Sequence, residues 1–177
     1  MSQRDSGYEC KERDLYETPE WVTLALIPHL PRPPQLGVWE PACGGGKMVN
    51  ALGILDCQID GTDISLNPEH DFLKADNAQN YDAIITNPPY ELARLFIEKS
   101  LALMARDGFV AMLLRTDFDH AKTRQHLFSG CRAFAKKVVL TKRIKWFEDS
   151  NGQPSFNHAW FIWDWKHSGP PTLAYGP

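Results

Sequence analysis

No run of about 18 or more apolar residues occurs in this 177-residue chain, so no transmembrane helix is expected. The opening stretch, polar from Met1 to Asp14, lacks the apolar core of a signal peptide, and a cytoplasmic protein is the expectation. Cysteine is sparse. Cys10, Cys43, Cys57 and Cys131 form no C-x-x-C pair, and no histidine cluster completes a zinc set, which points to free thiols in a reducing compartment and to no metal. Internal repeats and low-complexity segments are missing too. The net charge of −3 argues against a nucleic-acid partner, but its distribution argues the other way. Between His120 and Phe147 there is no acidic residue, while Lys122, Arg124, Arg132, Lys136, Lys137, Lys142, Arg143 and Lys145 are all there. Such segregation suits a phosphate-facing surface, and a solvated helix face accounts for it about as well.

What is present is one domain's worth of chain, long enough to bury a core without disulfides or metals. Residues 1–14 read as a flexible arm. Thr18-Pro19-Glu20 is a helix start, with a Thr cap and Pro at the first position, leading into a helix that ends before Pro28. Four prolines between Pro28 and Gly37 make a connector. Strand and helix then alternate. Strands are expected over 37–41, 58–64, around Phe72 and Leu73, over 81–86, 108–114, 137–144 and 159–165, with helices over 47–55, 91–105 and 120–135. Trp160, Trp163 and Trp165 fall on the last strand, as core or sheet surface. Residues 15–166 form a single domain and 167–177 an irregular tail. The alternation predicts an α/β sandwich on a mainly parallel sheet, with ligands bound outside the carboxyl ends of the strands.

Two constellations sit at such ends. The first, Glu40-Pro41-Ala42-Cys43-Gly44-Gly45-Gly46, follows a strand and opens a helix. Its glycines permit positive φ and close approach of a ligand to the backbone, although a tight turn alone also needs glycine. Asp63 ends the next strand, about 20 residues on, where a ribose-binding carboxylate belongs. Glu40 stands where a dinucleotide fingerprint has its first glycine; a carboxylate there repels a pyrophosphate and suits a cationic ligand such as a sulfonium. Lys47 is followed by Met48 rather than Ser or Thr, which excludes a P-loop.

The second is Asn87-Pro88-Pro89-Tyr90, at the carboxyl end of the fourth expected strand. The exocyclic amine of adenine is a poor nucleophile because its lone pair is delocalised into the ring. Acceptors for its N–H hydrogens let the nitrogen become pyramidal. The Asn87 side-chain carbonyl and the Pro88 backbone carbonyl can serve, two prolines stiffen the loop, and Tyr90 offers a face for a flipped-out base. Taken alone, the tetrapeptide reads first as a proline-rich turn; its place at a strand's carboxyl end, downstream of a cofactor-type turn, favours the catalytic reading.

Together these residues resemble the class I S-adenosylmethionine-dependent methyltransferases, in the branch that modifies planar amino groups, and most of all the short DNA N6-adenine methyltransferases of phages and prophages. The resemblance runs from Tyr16 to Trp165 through Y-E-T-P, E-P-A-C-G-G-G, G-T-D-I, D-F-L, N-P-P-Y, L-R-T-D-F and H-A-W-F-I-W. It implies a Rossmann-like sandwich with a mostly parallel seven-stranded sheet and helices on both faces. It also implies S-adenosylmethionine as cofactor and the cytoplasm of a bacterium or phage-infected host as location. Tyr16, Thr18 and Pro19 match the motif that touches the methionine part of the cofactor. Glu40, Ala42 and Gly44 match the motif for methionine and ribose, Asp63 the ribose acid, and Asp71 and Phe72 the pair on the cofactor's adenine. Asn87, Pro88, Pro89 and Tyr90 match the catalytic loop, with Asn87 also at the cofactor, and Phe156 is placed on the other face of the target base. Asp71 as a turn cap and Phe72 as core remain open, as does a structural ion pair for Arg115 and Asp117. His158 reads as a satisfied, partly buried histidine rather than a base.

Larger members of this branch carry a separate target-recognition domain, for which this chain has no room. Sequence choice then falls to the basic 120–147 region with Lys142 and Arg143, to the loop between Ile144 and Asn157, to dimerisation or to a partner subunit. RNA adenine, cytosine N4 and a non-catalytic nucleic-acid-binding module stay open as alternatives. Glutamine-modifying relatives are disfavoured, because their glycine motif is usually led by Asp.

Overall fold

A computed structural model describes residues 16–105, 107–146 and 156–177. The expected N-terminal arm and the 147–155 part of the Ile144–Asn157 loop lie outside the described residues. Within them, α1 (Glu20–Leu24) precedes β1 (Gly37–Glu40), α2 (Lys47–Leu52), β2 (Gln58–Gly61), β3 (Ala83–Thr86), α3 (Ala93–Leu103), β4 (Phe109–Arg115), β5 (Phe134–Leu140), β6 (His158–Asp164) and β7 (Thr172–Gly176). The seven strands form one sheet in the order β2-β1-β3-β4-β6-β5-β7. Only β6 runs against its neighbours β4 and β5; every other pairing is parallel.

Parallel strands covered on both faces are apolar without alternation. β1 and β3 are buried at every position, and β4 at all but Arg115. One core, around Val22, Leu26, Met48, Leu52 and Trp160, lies under α1 and α2; the other, around Phe96, Ile97, Leu101, Phe161 and Trp163, lies under α3. Trp160 and Trp163 therefore face opposite sides of β6. Their indole N–H groups are satisfied on those sides by the carbonyls of Val22 (2.9 Å) and Leu127 (2.6 Å).

Several expectations are corrected. Thr18 is buried and makes no cap; Pro19 occupies the cap position, extended at φ −59° and ψ 144°, and the helix ends at Leu24. Phe72 and Leu73 belong to a 3₁₀ turn over Phe72–Lys74, because the Asp71 carboxylate accepts the Leu73 N–H (3.1 Å) and turns the chain. The Asn87 loop thus ends the third strand. The 120–135 segment holds 3₁₀ turns at Phe118–His120 and Lys122–Leu127, and β5 already begins at Phe134. The tail is not irregular. Gly169, at φ 99°, reverses the chain, and β7 then lies parallel to β5 from Lys136↔Thr172 to Leu140↔Gly176.

The chain runs outward from β1 to β2 and returns to β3 on the other side of β1. That reversal of strand order opens a crevice above the carboxyl ends of β1 and β3.

Candidate active site

The glycine turn after β1 forms one wall of the crevice. Gly44 and Gly46 have φ of 49° and 83°, a region that L side chains avoid. A Cβ built on either meets nothing within 4 Å, so the backbone here faces open space. The turn is anchored from beneath. Cys43 N–H donates to the Thr62 carbonyl (3.0 Å), and Gly44 N–H to Asp63 Oδ2 (2.9 Å). The other carboxylate oxygen of Asp63 accepts the backbone N–H (2.8 Å) and hydroxyl (2.6 Å) of Ser65. Asp63 is thereby fixed at the lip of the turn.

Glu40 does not face the crevice as a bare charge. It is 1% exposed, and Oε1 accepts the Thr86 hydroxyl at 2.7 Å. The backbone N–H groups of Ala42 and Asn87 also donate to its carboxyl. Burial pushes the group up to about 8, with the negative charge of Asp63 adding to the rise and the three hydrogen bonds opposing it. The sequence suggested an acid aimed at a cation. Its place is instead a bridge, holding the glycine turn and the Asn87 loop to each other.

Across the crevice, the Asn87 amide donates from Nδ2 to the Tyr16 carbonyl at 3.3 Å. This leaves Oδ1 as the acceptor it can offer to a substrate N–H. Pro88 is buried, and Pro89 leads into a 3₁₀ turn starting at Tyr90. The Tyr90 hydroxyl lies 2.8 Å from His158 Nε2. His158 is 2% exposed, and its Nδ1 has no hydrogen-bond partner, so the expected satisfied histidine is satisfied on one side only. Burial, and then the positive charge of Arg115, hold it down at about 4.

Other residues named from the sequence lie at varying distance from this centre. Tyr16 reaches it through its carbonyl, bonded to Asn87, and its ring, 6.3 Å from Tyr90, while Thr18 is buried. Phe72 is 2% exposed, packed edge-on to Trp39 (5.2 Å) and against Phe96 (4.9 Å), and so belongs to the core. Asp71 turns to the Leu73 N–H and to Lys74 (2.9 Å), and Lys74 is the main reason its carboxyl lies below the usual range. Arg115 pairs with Asp117 (2.8 Å) and also covers the half-exposed Phe156 ring at 4.1 Å. The basic run divides. Lys136 donates to the His29 carbonyl, while Lys137 binds the Thr116 carbonyl and Asp119. Arg132 donates to the Trp165 carbonyl. Lys142, over the Trp21 ring, Arg143, bonded to Asn157, and Lys145 remain exposed past the end of β5. A surface cavity of about 500 Å³ opens beside Asn157 and Thr116, at the carboxyl ends of β4 and β5. Sequence reasoning missed Thr86 and Trp146. A hydroxyl closing an apolar strand was the one sign of the first.

Among the described residues, no group of three or more metal-ligating side chains occurs, and no helix is long and apolar enough to cross a membrane.

The fold is similar to that of a Listeria monocytogenes protein assigned to the class I S-adenosylmethionine-dependent methyltransferases. The TM-score is 0.62 at 16% identity, over 91% of this chain and 66% of that one. A chain from a type I restriction-modification system gives 0.59 at 17% identity, over 93% and 45%. A modification subunit assigned to a type I restriction enzyme of Vibrio vulnificus YJ016 gives 0.53 at 18%, over 90% and 46%. The chain thus spans less than two thirds of each of these proteins. No family model and no curated protein matches it. Likeness at these identities establishes the fold, a Rossmann-like class I methyltransferase sandwich.

Proposed function

We propose that this chain transfers a methyl group from S-adenosylmethionine to the N6 amino group of adenine in DNA. The observation that carries the reading is the Asn87 amide, turned by its bond to the Tyr16 carbonyl so that Oδ1 is the acceptor on offer, at the switch point of a class I methyltransferase sheet. Two of the similar folds come from type I restriction-modification systems, which supports DNA as the polymer and a partner subunit or second copy as the source of target recognition.

The residues present fit the cofactor. The backbone at Gly44 and Gly46 borders open space, and Asp63 stands at its lip with the acceptor chemistry that two ribose hydroxyls need. Tyr16, Thr18, Pro19, Ala42 and Asn87 would complete the lining. When bound, S-adenosylmethionine supplies a methyl group made electrophilic by a positively charged sulfur. Asp71 and Phe72 would need to leave their present partners to touch it, and carry less of the reading.

The remaining work falls to the Asn87 loop. Asn87 Oδ1 and the Pro88 carbonyl accept the two N–H hydrogens of the target amine and draw its nitrogen out of conjugation. Pro88 and Pro89 keep these acceptors from drifting. Tyr90 stacks on the base, and Phe156, whose ring Arg115 covers, would pack on its other face. The proton that the amine gives up passes to water, so the reaction asks for no general base. Lys142 and Arg143 supply phosphate contacts.

Asn87→Ala tests the reading. It should bind S-adenosylmethionine as the parent does, measured by calorimetry, and lose methyl transfer to DNA by about 100-fold or more. Equal transfer by variant and parent would remove the catalytic assignment.

A further inference from the structure

We propose that His158 is a positioning residue that fixes Tyr90 as the stacking platform for the target base, within a closed cycle of four aromatic side chains. The inference rests on the methyl-transfer reading above and adds a residue and a device to it.

Pro88 and Pro89 set the backbone at Tyr90, but they leave its two side-chain torsions undetermined. A restraint at the far end of the ring has the most leverage over its orientation, and that is where the Tyr90 hydroxyl meets His158 Nε2, at 2.8 Å. His158 cannot follow a swinging tyrosine. It is the first residue of β6, paired across the sheet with Arg115, and it is 2% exposed. Around this bond the rings close on themselves. Tyr16 lies 6.3 Å from Tyr90, Tyr90 6.3 Å from His158, His158 5.2 Å from Trp146 and edge-on to it, and Trp146 5.5 Å from Tyr16. Each ring comes from a different segment of the chain. Tyr16 also holds the Asn87 amide through its carbonyl, so one cycle orients both the hydrogen-bonding and the stacking parts of the loop.

The direction of the central bond follows from charge. Burial and Arg115 keep the imidazole neutral far below pH 7, leaving it one N–H and one lone pair. The Phe156 carbonyl lies toward the ring and opposes that fall, without satisfying Nδ1 by a hydrogen bond of full geometry. A nearby carbonyl favours the proton on Nδ1. Nε2 therefore accepts, and the Tyr90 O–H donates. A buried nitrogen without a partner is unfavourable for folding, and an apolar side chain at 158 would avoid it. Such local conflicts are expected where a residue serves a site.

The test uses the full chain with plasmid DNA and S-adenosylmethionine. Tyr90→Phe and His158→Leu should each lower kcat/KM for DNA by about tenfold with cofactor affinity unchanged, the double variant should be no worse than either, and His158→Gln, whose amide can still meet the phenol, should recover most of the loss. In ¹⁵N-histidine-labelled protein, the His158 Nε2 resonance should be that of a hydrogen-bonded acceptor and should move in Tyr90→Phe. Multiplicative losses in the double variant, a glutamine no better than leucine, an unmoved resonance, or a Tyr90→Phe as active as the parent each overturn the role of His158. A parent chain that leaves DNA unmethylated overturns the underlying reading, and this inference with it.

Discussion

Glu40→Gln separates the bridging carboxyl from its charge while keeping its shape. Burial raises the folded-state value of Glu40 from the usual 4.5 to about 8. Between those values the unfolded chain is ionised at this position while the folded chain holds a proton. Folding thus takes up a proton, and stability falls as pH rises, by about 1.4 kcal/mol per pH unit. The contribution is fully present below pH 4.5 and is lost as pH rises through about 8, a span of up to roughly 5 kcal/mol. Glutamine removes the titration. It also sets an NH₂, which cannot accept, among three donors, from Thr86, Ala42 and Asn87, where the hydroxyl oxygen of the protonated carboxyl still accepts, at a pH-independent cost of about 1–3 kcal/mol. The variant should therefore be the less stable protein at pH 5 and should gain on the parent by about 1.4 kcal/mol for each unit up to pH 8. Urea unfolding at unit pH steps measures this, and other titrating groups cancel in the difference. A parent–variant difference that stays constant from pH 5 to 8 would refute the assignment of Glu40 as a buried, proton-holding bridge.

Asp63→Ala should weaken S-adenosylmethionine binding by about 10- to 100-fold, because it removes a charged acceptor and releases the Gly44 N–H that sets the turn. Calorimetry reads this directly, and unchanged affinity would detach Asp63 from the cofactor. Reversing charge at Lys142 and Arg143 should weaken DNA binding and flatten the dependence of log K on log salt by about two phosphate contacts. A slope equal to the parent's would return both residues to an ordinary solvated surface.

The part of the fold nearest the site was legible because buried parallel strands are short apolar runs closed by turn residues. Ala83–Thr86 and Phe109–Arg115 have that form, and the glycine turn and Asn87 loop follow strands of this kind. Elsewhere the deciding contacts are distant in sequence. Nothing in Thr172–Gly176 announces a strand, because its register is supplied by β5, and three of its five residues are exposed. In α3 two sets of residues share helical spacing. Leu92, Leu95, Phe96 and Leu103 look like the buried face; Phe96 does face the sheet, with Ala93, Ile97, Ser100 and Leu101, and Leu103 packs partly buried beside it, yet Leu92 and Leu95 are each 39% exposed. The small Ala93 and Ser100 let the helix approach closely, which a count of large apolar residues overlooks. At the site, the same limit hid the bond between Tyr90 and His158, 68 residues apart, and the inward turn of Glu40.

The central claim is that Asn87 and Pro88 grip the exocyclic amine of adenine beside a bound methyl donor. Incubation of the chain with S-adenosylmethionine carrying a deuterated methyl group and with genomic DNA or total RNA, followed by nucleoside mass spectrometry, tests it most directly. Labelled N6-methyldeoxyadenosine formed by the parent and missing with Asn87→Ala is the predicted result; label on N4-methyldeoxycytidine, on RNA alone, or on no nucleoside contradicts it.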